Sequence, residues 1–139
     1  MIKSKVLGMG YLPDGIVKGF NLKTGLVIIN EKTMEHIKME RHRSFDYNDI
    51  FMLLEPENIA YVGLTEDGAL KIVSRLAIQD AKPYFVERFG KKITIATEYV
   101  AIIVRNTTVR TAYYVTPVHI KNQYERAEIL PVDELFFVQ

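Results

Sequence analysis

Between Glu98 and Arg105 the chain runs Tyr99-Val100-Ala101-Ile102-Ile103-Val104, a stretch with no polar position to turn toward water. A run apolar on both faces demands cover on both sides, which places it at the centre of a sheet. Its neighbours have the same character. From Asn58 onward the apolar period is two, or the runs are continuous, as in strands. Ile59 to Thr65, a Glu66-Asp67-Gly68 turn and Ala69 to Leu76 form one strand pair. Tyr84 to Phe89 turns at Gly90-Lys91 into Ile93-Thr94-Ile95, and Asn106-Thr107-Thr108 turns the central run into Val109 to Thr116. Short consecutive strands with tight turns predict an antiparallel meander.

The first part of the chain reads differently. Lys3 to Leu7 is expected as a short strand, interrupted by the turn chemistry of Gly8, Gly10 and Leu12-Pro13-Asp14-Gly15. Ile16 to Leu22 and Leu26 to Ile29 read as a β-hairpin, with a helical turn over Ile16 to Phe20 as the alternative. Asn30 or Thr33 would cap a helix carrying Met34, Ile37 and Arg41 on one side. Glu31 and Glu35 suit its positive end, and Arg41 and Arg43 its negative end. Asp46 or Asn48 caps a second short helix through Ile50, Phe51, Leu53 and Leu54, which stops before Pro56.

The fold class is therefore α+β: an N-terminal hairpin and two short helices packed on an antiparallel β-meander. With 139 residues and 48% hydrophobic residues one core is enough, so residues 1–139 are read as a single domain. Its core spans about 10–116, and a C-terminal docking tail covers 121–139. Leu135-Phe136-Phe137-Val138 is apolar enough to dock on this domain or on a neighbour. The absence of cysteine excludes a disulfide framework, a thiol nucleophile and cysteine-ligated zinc, and agrees with a cytoplasmic, reducing location. No apolar run approaches a membrane span, and none near Met1 is long enough for a signal peptide.

Net charge is +1, too little to coat nucleic acid by bulk electrostatics, but the charge is segregated. Lys82 to Arg110 is predominantly basic, whereas Asp46 to Glu57 carries only acids. Two of the three histidines sit beside Arg41 and Arg43, in the stretch from Glu35 to Arg43. His36 and His42 are six positions apart, roughly 120° around a helix, which is unsuited to a paired metal site. The chemistry left to them is proton transfer at neutral pH, with Arg41, Arg88, Arg105 or Arg110 gripping a phosphate. Such a site needs neither metal nor cofactor and would suit attack of an RNA 2′-hydroxyl on its own phosphate. On the last meander strand Val109, Thr111, Tyr113 and Val115 alternate with Arg110, Ala112, Tyr114 and Thr116. Thr111 and Tyr113 can thus act together, whereas Arg110 joins them only through a bulge or a strand end. His119, just past Pro117, is isolated and reads as structural or exposed.

The order Gly10-Tyr11-Leu12-Pro13, Val27-Ile28-Ile29, Met34 through His42, Met52 through Ile59 and Val109-Arg110-Thr111-Ala112-Tyr113 resembles the phage-associated branch of the barnase, EndoU, colicin E5/D and RelE-like nuclease fold. The resemblance spans about Gly10 to Val115. It implies helices packed on an antiparallel sheet and a metal-independent ribonuclease, often a toxin or phage-borne effector. The helix histidine would be His36 or His42, the strand-end pair Thr111 and Tyr113, and the basic residue of the sheet Arg88 or Arg105. The acidic and apolar segment after Pro117 departs from that pattern. The rival reading is a non-catalytic phage or mobile-element module that grips a host protein or an anionic ligand. It would be built as an oligomer through Leu135 to Val138.

Overall fold

In a computed structural model the described residues are 5–40, 46–75, 84–88, 91–95 and 99–132, with 40, 84–88 and 91–95 described by backbone alone. Strands β1 (Val6–Tyr11), β2 (Leu26–Asn30), β3 (Ile59–Leu64), β4 (Leu70–Arg75), β7 (Tyr99–Arg105), β8 (Thr108–Val115) and β9 (Ile129–Pro131) form a seven-stranded sheet. Their spatial order is β1-β2-β8-β7-β4-β3-β9. The doubly apolar run, β7, is the middle strand. Among the described pairs only β2 with β8 is parallel. The architecture is α+β.

The meander is not continuous. β5 (Tyr84–Arg88) and β6 (Lys91–Ile95) form their own two-stranded sheet, and β4 pairs directly with β7. Leu70 to Ser74 of β4 are all buried, so that strand needs an apolar partner. β7 supplies one, whereas β5 and β6 set Glu87 opposite Lys92 and Arg88 opposite Lys91.

The expected hairpin of Ile16 to Leu22 is replaced by a short helix, α1 (Asp14–Gly19), as in the helical alternative. Ile16, Val17 and Phe20 then reach the core at helical spacing. The antiparallel partner of β2 is β1, which runs through Gly8 and Gly10 instead of stopping there. A side chain at either position would lie within 3 Å of the Phe51 ring, so these glycines seat an aromatic against the strand.

Helix α2 (Glu31–Glu40) begins where Asn30 Oδ1 accepts the Thr33 N–H at 2.9 Å. Helix α3 (Tyr47–Leu53) carries an Asp46/Asp49 capping box. A 3-10 turn at Pro56–Asn58 leads into β3. After β8 comes a fourth helix, α4 (Pro117–Glu125), capped by the Thr116 hydroxyl; it runs into the segment 121–139 expected as a docking tail, within which β9 pairs with β3. Proline at the first helical turn starts this helix, because the missing N–H would have had no partner there. Leu135 to Val138 lie outside the described residues.

The sheet divides two apolar clusters. One holds Ile16 of α1, Met34 and Ile37 of α2, and Ile50 and Leu53 of α3 against Ile72, Val100, Ile102, Val109 and Ala112. The other holds Ile120 of α4 against Val73, Ala101, Val115 and Ile129. Three helices thus cover one face, and α4 packs on the other.

Candidate functional site

The bulge in β8 decides which predicted residues can meet. Ile103 pairs with Thr111 but Val104 pairs with Val109, so Arg110 is an extra residue in β8. Beyond the bulge the alternation changes phase. Val109, Ala112 and Tyr114 point to the three-helix face, and Thr111, Tyr113 and Val115 to the α4 face. Val109 therefore does not share a face with Thr111 and Tyr113, as simple alternation predicted.

Helix α2 is fixed to the first of these faces. Thr33 Oγ1 donates to the Val109 carbonyl at 2.9 Å, and Met34 and Ile37 are buried beneath it. His36, half-buried on the flank of that helix, is on the opposite side of the sheet from Thr111 and Tyr113. The expected pairing of a helix histidine with the strand pair is not assembled around His36. His42 and Arg41 lie outside the described residues, as does the side chain of Arg88.

The remaining arginines divide as well. Arg105 Nη2 lies 2.7 Å from Asp67 Oδ2 and also donates to the Asp67 carbonyl, which bridges β7 to the β3–β4 turn. The Thr65 hydroxyl, and after it Arg105, hold the Asp67 carboxyl below the usual carboxylate range. Arg105 is thus engaged in the turn, and Arg110 projects exposed from the bulge.

The α4 face gathers a different set. Thr111, Ile103, Lys71, Gly63 and Ile129 form one lateral row across β8, β7, β4, β3 and β9. Lys71 is only 6% exposed, and its Nζ donates to Gln123 Oε1 of α4 at 2.9 Å. Burial lowers its pKa from the ordinary lysine value, and Glu128 opposes the shift. Glu128 is held close by its N–H, which donates to the Gln123 carbonyl at 3.0 Å.

Lys71 lines a cavity of about 320 Å³ with Leu64, Thr65, Glu66, Gln123 and Glu128. His119 lies one helical turn before Gln123 on α4. Its pKa is lowered by burial first and then by Lys71, with Arg126 acting in the same direction and Glu128 against. Among the described residues, the histidine on the same face as Thr111 and Tyr113 is therefore His119, which the sequence reading set aside.

Lys71 was also missed, although the sequence carries a signal for it: one cation inside Ala69-Leu70-Lys71-Ile72-Val73, where every neighbour is buried. Lysine is almost never fully buried without a specific reason. A second hollow, of about 420 Å³, lies on the three-helix face among Leu12, Leu22, Leu26, Leu70 and Val104, with Lys23 at its rim. It has no buried charge. A comparison of the chain with protein-family models, curated proteins and solved structures finds no match.

Proposed function

We propose that the protein is a non-catalytic binding module that holds a small polar ligand in the cavity between α4 and the β3–β4 turn. The observation that carries this reading is Lys71, a lysine only 6% exposed that lines the cavity and donates to Gln123 across it. Burying a charge costs several kcal/mol in order of magnitude, and the Gln123 acceptor together with the nearby Glu128 carboxylate offsets only part of that, since the net effect on the Lys71 pKa is still downward. Lysine has three N–H donors, and Gln123 Oε1 takes one. A ligand oxygen facing the cavity would take another, which gives the burial a use. The volume equals about ten water molecules, at the small end of ligand sites.

The test is chemical-shift mapping of the full chain with a mixture of small carboxylates, phosphate and amino acids. Shifts at α4 and the β3–β4 turn that vanish in Gln123→Leu are expected. If no member of the mixture moves those resonances, the reading fails.

A second reading keeps the metal-independent ribonuclease with a different histidine. One observation favours it: His119, Lys71, Thr111 and Tyr113 share the α4 face. In this arrangement His119 would transfer the proton and Lys71 would meet the phosphate. Cleavage of total RNA in EDTA that is lost in His119→Ala but kept in His36→Ala would establish it over the binding module. Intact RNA would remove it.

A further inference from the structure

Resting on the reading of the Lys71 cavity as a binding site, the charges around it select among ligands. The buried wall offers donors: the two remaining N–H groups of Lys71 and the side-chain amide N–H groups of Gln123, whose Oε1 is already engaged. The mouth offers acceptors, the exposed carboxylates of Glu66 and Glu128. Thr65 adds little, because its hydroxyl is spent on Asp67 and on the Ala69 N–H.

A simple anion on Lys71 would share the cavity with two carboxylates, and a simple cation held by those carboxylates would face the Lys71 ammonium. Each meets a like charge, the anion two solvent-screened carboxylates and the cation the ammonium in the cavity wall. A molecule with a carboxylate at one end and an ammonium at the other offsets both. Its carboxylate accepts from Lys71 and Gln123, while its ammonium donates to Glu66 or Glu128.

We propose that this cavity takes a small zwitterion of the α-amino acid class, carboxylate inward on Lys71 and Gln123 and ammonium outward on Glu66 and Glu128. Leu64 lines the same cavity and offers an apolar surface to the ligand's own side chain. Gly63 helps form it, since a Cβ there would lie 2.2 Å from the Glu128 carbonyl and displace the segment that carries the Glu128 carboxylate.

The experiment is calorimetric titration of the full chain with each common amino acid, and with acetate, phosphate and methylammonium as single-charge probes. At least one amino acid should bind at least about tenfold more tightly than any single-charge probe, a difference of about 1.4 kcal/mol. Glu128→Gln combined with Glu66→Gln should reduce that preference while acetate binding rises. Gln123→Leu, a half-exposed position on α4, should weaken the amino acid even if Lys71→Met does not fold. If acetate or phosphate binds as well as every amino acid and shifts the same α4 resonances, the zwitterion assignment is overturned and the cavity reading stands. If nothing binds, both fall.

Discussion

Val109 and Thr111, two positions apart on β8, face opposite sides of the sheet because Arg110 is the extra residue of a bulge between the Val104–Val109 and Ile103–Thr111 pairs. The Thr33 hydroxyl holds the Val109 carbonyl from α2, so the helix is anchored beside the irregularity in the strand. Thr33→Val should lose this buried bond, costing about 1 kcal/mol. Urea denaturation of the two proteins reads the difference, and an unchanged midpoint would show that the bond carries no net stability.

Thr111 is the opposite case. Its Oγ1 is buried and has no hydrogen-bond partner among the described residues. Valine has the same shape without the hydroxyl, and β-branched residues suit a strand. Thr111→Val should therefore gain about 1 kcal/mol, which raises the melting midpoint by about 4 °C in a chain of this size. A lower midpoint would mean that the hydroxyl has a role that the fold alone does not require.

Three glycines make a graded series. At Gly63 a Cβ meets backbone, the Glu128 carbonyl at 2.2 Å and Ile129 Cα at 3.1 Å, so β9 would have to move off β3. At Gly10 it meets the Phe51 ring at 2.8 Å, which can tilt. At Gly68 there is open space but φ is +85°. Alanine at Gly63 should cost most, about 2–3 kcal/mol, and alone should speed amide exchange in β9. Gly68→Ala should cost about 1 kcal/mol, from backbone strain alone.

These contrasts mark what local patterning reveals. β2, β7, β8 and α3 are legible because apolar period and capping residues are local properties, and the Asp46/Asp49 box lies within four residues. The bulge at Arg110 is not, since it exists only in register with β7. Nor is the direct β4–β7 pairing, which depends on which strand covers another. Helix α4 was hidden because Lys121 to Glu128 shows mainly charge, with Ile120 its one buried apolar residue. His36 and Thr111 looked like halves of one site because sequence alone does not say which face of the sheet a helix will cover.

The β3–β4 turn gives a pH signature. Asp67 is held below the ordinary carboxylate pKa by Thr65 and Arg105, so the folded state binds its proton less readily than the unfolded chain. Its contribution is present above the unfolded value near ~3.9 and is lost as pH falls below that through the folded value. Asp67→Asn should be less stable than wild type at neutral pH, and the gap should close in acid. Urea midpoints measured across that range test this. A gap that does not depend on pH would show that the carboxylate's charge is irrelevant to the turn.

Lys71 titrates at the other end of the scale with the same sign of slope. Burial lowers its folded pKa below the unfolded value of 10.5, so the unfolded chain holds the proton more tightly. The unfavourable contribution is fully present at neutral pH and fades as pH rises from the folded value toward 10.5. Lys71→Met keeps the length and apolar stem of the side chain but removes the charge, and Gln123 on half-exposed α4 can turn to water. The variant should therefore be more stable than wild type at neutral pH, and wild type should approach it at alkaline pH. Because stability and binding oppose each other at this residue, the same substitution should raise the melting midpoint and abolish the calorimetric signal of a bound ligand. A variant that loses stability at neutral pH would assign Lys71 to holding α4 on the sheet, and a variant that still binds would remove it from the cavity's chemistry.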